Sequence, residues 1–103
     1  MRRAPSLDAS WQGNPVPPYP PMARRLGEQG EVGLDVRVGI DGRVQEVHLT
    51  RSSGSSLLDQ TAIDTVRQWR FRPATVDGNP VAAWYRGWKW IFRLEEMTER
   101  RSA

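Results

Sequence analysis

A chain of 103 residues is a prior for one domain, and with no cysteine it is excluded from disulfide stapling, thiolate zinc sites and thiol catalysis. The net charge of +3 is unevenly spread. Thr65 to Leu94 holds six basic residues against Asp77 alone, a local +5, and only one of the chain's 15 basic residues is lysine. Such an Arg-rich stretch suits carboxylates and phosphates, so acidic peptides, lipid headgroups and nucleic acid all come into consideration as partners.

Residues 1–13 read as disordered or linker, because Met1 to Ser10 is short of large apolar residues, and residues 95–103 read as a flexible polar tail. The foldable part is small and its stability margin thin; five tryptophans help, each able to bury about 200 Å². No apolar run reaches the length of a membrane span, and no apolar stretch follows Met1-Arg2-Arg3 as a signal peptide requires. An anchor or export signal, if the protein works outside the cytoplasm, is expected to lie outside this chain.

Asn14 to Pro21 contains five prolines in eight residues. Proline fixes φ and lacks an N–H, so this segment is extended: either a stiff entry linker or a partner-contacting strip. Met22 to Glu28 reads as a short helix with Met22 and Leu26 on one face. Glu31 to Ile40 alternates cleanly, with Val32, Leu34, Val36, Val38 and Ile40 on one side, as in a half-buried strand. Asp41-Gly42 is a tight hairpin signal with positive φ expected at both residues. Arg43 to Arg51 is the return strand, and its apolar phase slips between Val44 and Val47, which predicts a bulge at Gln45-Glu46.

Ser56-Leu57-Leu58-Asp59 resembles a capping box. Leu58, Ala62, Val66 and Trp69 follow at helical spacing, giving a helix over about Leu57 to Arg70, with Arg67 and Arg70 in the last turn and Pro73 barring extension. Asp77-Gly78 is a turn. Val81 to Leu94 is a long strand whose even positions, among them Trp84, Trp88, Trp90 and Phe92, form the core face; Gly87 marks a bend or bulge. The whole is an α+β fold of order αββαβ: a three-stranded antiparallel sheet with two helices packed on one face, and a right-handed crossover setting the last strand beside the hairpin.

Catalytic chemistry has no foothold. The single histidine, His48, has neither cysteine nor a second histidine for metal binding; Ser52, His48 and Asp59 spell a triad only on paper; the glycines at 27, 30 and 33 precede a strand and open no phosphate loop. No cofactor or metal is expected, and the protein reads as a non-enzyme. The last strand is the feature of interest. A three-stranded sheet leaves two open edges. Arg86, Lys89 and Arg93 fit first as charges that protect such an edge; the second reading of the edge is strand addition by a partner peptide, with Tyr85 and Ile91 as outward contacts.

Taken together, Tyr19-Pro20-x-x-Ala23-Arg24-Arg25-x-Gly27-x-x-Gly30-x-Val32, Asp41-Gly42-Arg43-Val44, Ser52-Ser53-Gly54-x-x-x-Leu58-Asp59-x-x-Ala62-x-x-x-Val66-Arg67-x-Trp69-Arg70-Phe71-x-Pro73-Ala74 and Gly78-x-Pro80-Val81 follow in order over Pro15 to Leu94. This pattern resembles the TonB C-terminal domain family. The Trp-rich run Gly87-Trp88-Lys89-Trp90 departs from the plainer aliphatic alternation usual there. The resemblance implies residues 14–94 as a periplasmic module of a TonB-type energy transducer, anchored in the inner membrane by an N-terminal helix that associates with the ExbB–ExbD proton-driven motor. It implies capture of the TonB box of an outer-membrane transporter by strand addition, and force transmission that drives siderophore, haem or vitamin uptake. Carried onto this chain, the box partners are the last strand, with Val81, Ala83, Tyr85, Gly87, Lys89, Ile91 and Arg93 as contacts, and the segment Gly13, Asn14, Pro15, Val16, Pro17 and Pro18. Arg67, Arg70 and Arg72 would face the transporter plug. Free edges also allow a homodimer. TolA-like or sensor-associated periplasmic interaction domains share the architecture and are the alternative; nucleic acid is not expected, because the tryptophan phase points to the core.

Overall fold

The computed structural model describes residues 1–7 and 13–94; the tail at 95–103, and residues 8–12 of the expected linker, lie outside the described residues. In chain order the elements are β1 (Arg2–Arg3), β2 (Ser6–Leu7), α1 (Pro21–Arg25), β3 (Gly30–Val38), β4 (Val44–Arg51), α2 (Ser56–Val66), β5 (Phe71–Arg72), β6 (Ala74–Val76), β7 (Asn79–Val81) and β8 (Ala83–Phe92). The main sheet has the order β4-β3-β8, antiparallel throughout, so the last strand pairs on the far side of β3 from β4. This is the predicted α+β sheet with two helices. Two further small sheets, β1-β6-β7 and β2-β5, extend it.

The alternation in β3 does what period-two patterning demands. Val32, Leu34, Val36 and Val38 are fully buried, and they share one core with Ala23 of α1 and Leu58, Ala62 and Val66 of α2. Each of these valine and leucine side chains contributes about 1.5–3 kcal/mol on burial. Ile40 is exposed instead, because the strand ends at Val38 and Ile40 sits in the turn. The turn also differs from expectation. Gly42 N–H donates to Gly39 C=O at 3.0 Å and Gly42 alone has positive φ (83°), while Asp41 is occupied in accepting from Arg43 N–H at 3.0 Å. That is a three-residue hairpin loop with glycine at its bulge position. Positive φ at both turn residues occurs in the other Asp-Gly pair, Asp77 and Gly78, between β6 and β7.

The predicted bulge in β4 is present: Arg37 pairs with Glu46 and Val38 with Val44, leaving Gln45 over. A second irregularity leaves Thr50 unopposed between Gly33–Arg51 and Leu34–Leu49. Helix α1 is shorter than expected, and in so short a helix only Ala23 faces the core; Met22 and Leu26 are exposed. Helix α2 ends at Val66, with Arg67 as its C-cap and Arg70 beyond it in extended backbone bridged to Arg43. Its N-cap is Ser55, whose hydroxyl accepts from Leu58 N–H at 3.3 Å. Asp59 turns back on the preceding loop, accepting from Ser52 Oγ (2.5 Å), Ser53 N–H (2.8 Å) and Ser53 Oγ (2.7 Å). Burial pushes its carboxyl up, but these donors together hold it below the ordinary aspartate value.

In β8 the bulge expected at Gly87 is present, but the strand's facing before it is the reverse of the expected one. Leu34 pairs with Trp88 but Val36 pairs with Tyr85, so Arg86 and Gly87 together stand opposite Asp35. Gly87 has φ 81°. This bulge reverses the inward phase of the strand. Beyond it the even residues Trp88 and Phe92 are buried, as expected; before it Tyr85 turns to the core against Phe71 (ring centroids 5.3 Å), and Trp84 lies tilted against His48 (4.7 Å). Residues 1–7 also differ from the linker reading, for Arg2–Arg3 and Ser6–Leu7 pair with β6 and β5 through backbone that needs no apolar pattern. Among the described residues no helix is long and apolar enough to cross a membrane.

Candidate strand-docking site

Among the described residues, β8 is hydrogen-bonded along one flank only, to β3. Its other flank presents the unpaired donors and acceptors of an edge strand, the feature that accepts an extended peptide. Past the bulge, Lys89, Ile91 and Arg93 are exposed, with Ile91 47% accessible. Gly87 N–H and the Arg86 guanidinium both donate to the Asp35 carboxylate, at 3.0 and 2.9 Å, which ties the bulge to the central strand. Arg86 also lies 5.3 Å over the Trp84 ring, a cation–π contact.

The proline segment is docked on the body. The Asn14 carboxamide donates to Arg70 C=O at 2.9 Å and accepts from Arg70 N–H at 2.8 Å, imitating one rung of a β-ladder. Trp69 Nε1–H donates to Pro15 C=O at 2.7 Å. Trp69 in turn meets Trp88 edge-on (5.4 Å, 89°), and Trp88 stacks with Trp90 (6.4 Å, 6°). A line of aromatic contacts therefore joins the Pro15 backbone to β8. Further along, Pro17 and Tyr19 wall a shallow groove of about 360 Å³ whose other side is Trp90, Ile91, Phe92 and Arg93. Tyr19 packs edge-on to Phe92 (5.3 Å), donates its hydroxyl to Glu28 C=O, and carries the Arg24 guanidinium 4.8 Å above its ring. Burial raises the phenol's pKa, against a smaller opposing pull from Arg24.

The structure thus unites two of the three groups of candidate residues. Pro17 meets Ile91 and Arg93 in one groove, with Asn14 and Pro15 fixing the approach, while Gly13, Val16 and Pro18 are exposed along the same segment. Tyr85 is packed against the core and Ala83 shares its side of the strand; Val81 pairs with Ala74 in the β6–β7 hairpin. The basic exit of α2 does not form one face. Arg67 borders a recess beside Val44 to Val47 on the opposite edge of the sheet, Arg70 is held through its backbone to Asn14, and Arg72 lies beside Arg3 and Ser6. Tyr19 and Trp90 were not among the candidates for the groove they line. Tyr19 sits in the Tyr-Pro motif, a signal that could have found it; Trp90 was assigned wholly to the core. Ser52 bonds Asp59 while His48 contacts Glu46 and Trp84, so no triad forms, and no three potential metal ligands converge among the described residues.

Comparison with known proteins identifies the family. The family described as Gram-negative bacterial TonB protein C-terminal matches residues 15–94. Protein TonB of Xanthomonas campestris pv. campestris (strain B100) is 43% identical over 77 residues, covering 75% of this chain and 34% of that protein. Protein tonB2 of Pseudomonas aeruginosa is 43% identical over 70 residues, 68% of this chain and 26% of that protein. The chain therefore spans about a third or less of the length of these relatives. The solution NMR structure of the Pseudomonas aeruginosa TonB CTD superposes with a TM-score of 0.66 at 29% identity, covering 80% of this chain and 82% of that one. The chain belongs to the TonB C-terminal domain family.

Proposed function

We propose that residues 14–94 form the periplasmic, partner-gripping module of a TonB-type energy transducer, which takes up the box segment of an outer-membrane transporter as an added strand on β8. The observation that carries this reading is the unpaired flank of β8, bordered by the Pro17–Tyr19 groove, in a chain of this family. Main-chain pairing tolerates varied side chains, so one edge can serve several transporters. Strands loaded in shear break several hydrogen bonds together, which lets a short contact bear tension. Lys89 and Arg93 attract acidic residues near the box and raise the encounter rate. In this reading an N-terminal anchor and the ExbB–ExbD motor supply the force, the transporter plug is what it remodels, and siderophore, haem or vitamin is the cargo. The module binds and pulls; it performs no covalent chemistry.

The test is a titration with peptides from transporter N-termini, followed by backbone amide shifts. Shifts are expected at Lys89 to Leu94 and at Gly13 to Tyr19. Shifts confined to the β3–β4 hairpin, or none at millimolar peptide, would refute the proposal.

A further inference from the structure

Residues 1–7 occupy an edge that the β8 site does not use. Arg2 pairs with Val76, Arg3 with Thr75, Ser6 with Arg72 and Leu7 with Phe71, and Asp77 N–H donates to Met1 C=O at 2.8 Å. The register is the same before and after position 5, which places Pro5 opposite Pro73. Neither strand has an N–H to offer at that point, so the two prolines interrupt the ladder without orphaning a donor. Pro5 is buried; the other six residues of the segment are exposed.

The seat is poorly filled. A recess of about 610 Å³ lies between Arg2–Pro5 and a largely apolar wall that includes Val76, Val81, Ala83 and Trp84. On the other side a second recess of about 580 Å³ is bordered by Arg3, Ala4, Ser6, Thr75 and Asp77. Ala4 borders both, and its methyl group fills neither. The segment keeps the backbone pairing but forgoes most of the apolar burial the wall could give, while paying the entropy of an ordered strand. Apart from Pro5 and the pairing of the Met1 ammonium with the Asp77 carboxylate, little side-chain contact adds to the ladder that holds it.

We infer that the β5–β6 edge is a second strand-binding site, filled in cis by residues 2–7 and open to exchange for an extended partner peptide in which a large apolar residue precedes a proline. The proline would take the place of Pro5 opposite Pro73, and the apolar side chain would enter the recess walled by Val76, Val81 and Trp84. The inference stands independently of strand addition at β8.

A capped peptide of residues 2–7 carrying Ala4→Leu, titrated into the whole chain, tests it. Saturable amide shifts are expected at Phe71 to Val76, with Lys89 to Phe92 unmoved, and affinity about tenfold above that of the peptide with the native Ala4. In the whole chain, Ala4→Leu should slow amide exchange of the β5–β6 edge and weaken the added peptide about tenfold. Shifts at β8 alone, no shifts at millimolar peptide, or edge exchange unchanged by Ala4→Leu would each overturn the inference.

Discussion

Replacing Asn14 by alanine removes both arms of the carboxamide that hold the proline segment to Arg70. Each hydrogen bond contributes about 0.5–1.5 kcal/mol net, and the site is part-buried, so the loss is about 2 kcal/mol. For a domain of this size that lowers Tm by about 8–16 °C, since each kcal/mol shifts it by about 4–8 °C. Asn14→Asp is the sharper variant. It keeps an acceptor for Arg70 N–H but loses the donor and sets a carboxylate against Arg70 C=O, so it should destabilise at least as much as alanine despite its similar size. Trp69→Phe removes only the bond to Pro15 and trims the contact with Trp88; added to Asn14→Ala it should act non-additively, because both hold the same segment. Urea melts followed by far-ultraviolet circular dichroism read all three. If Asn14→Ala stays within 0.5 kcal/mol of the parent, the segment is not docked as described. If it destabilises but transporter peptides bind unchanged, the segment belongs to the fold and not to the docking site.

Gly42→Ala should cost well over 2 kcal/mol in a chemical melt, since a Cβ there would stand 2.3 Å from Phe71 C=O in a backbone of positive φ; Gly87→Ala, with φ 81° but open space around it, should cost only about 1–2 kcal/mol. Tyr85→Ala should destabilise by about 2–4 kcal/mol while Tyr85→Phe leaves transporter-peptide affinity within twofold, separating a packing role from a contact role. The Asp59 carboxyl is depressed in the folded state, so its stabilisation is complete above the ordinary aspartate range and fades as pH falls through the lower folded pKa; Asp59→Asn should flatten that part of the stability profile below about pH 4. Arg86→Ala should change stability by less than about 1 kcal/mol, because the guanidinium is 66% exposed.

The sequence was most readable where one rule governed a whole element. Val32 to Val38 alternates because one face meets both helices and the other does not, and the slipped phase at Val44 and Val47 betrays the extra Gln45. It was least readable where backbone geometry overrode the pattern. Val81 to Leu94 reads as one strand with a bend or bulge at Gly87, but the pattern does not say that the bulge reverses the faces, so Trp84 and Tyr85 exchange the sides that strict alternation gives them. The strands at Arg2–Arg3 and Ser6–Leu7 leave no apolar periodicity to read, since main-chain pairing, with the burial of Pro5 between them, puts them in place. The candidate groove is half legible: the proline segment and the outward residues after Gly87 can be read from the sequence, whereas alternation places Trp90 on the core face, where it does pack, and does not show that its ring also lines the groove.

The kink at Arg86-Gly87 has a mechanical corollary for any strand laid along β8. A flat edge lets an attached strand creep by two residues and recover equivalent bonds, so a steady tug can walk it off in small steps. A visitor that slides from Lys89–Leu94 toward the start of β8 would meet a place where the host's spacing jumps by one, with Gly87 clamped to Asp35. On the proposed docking the jog would then act as a detent, stopping the slide in that direction.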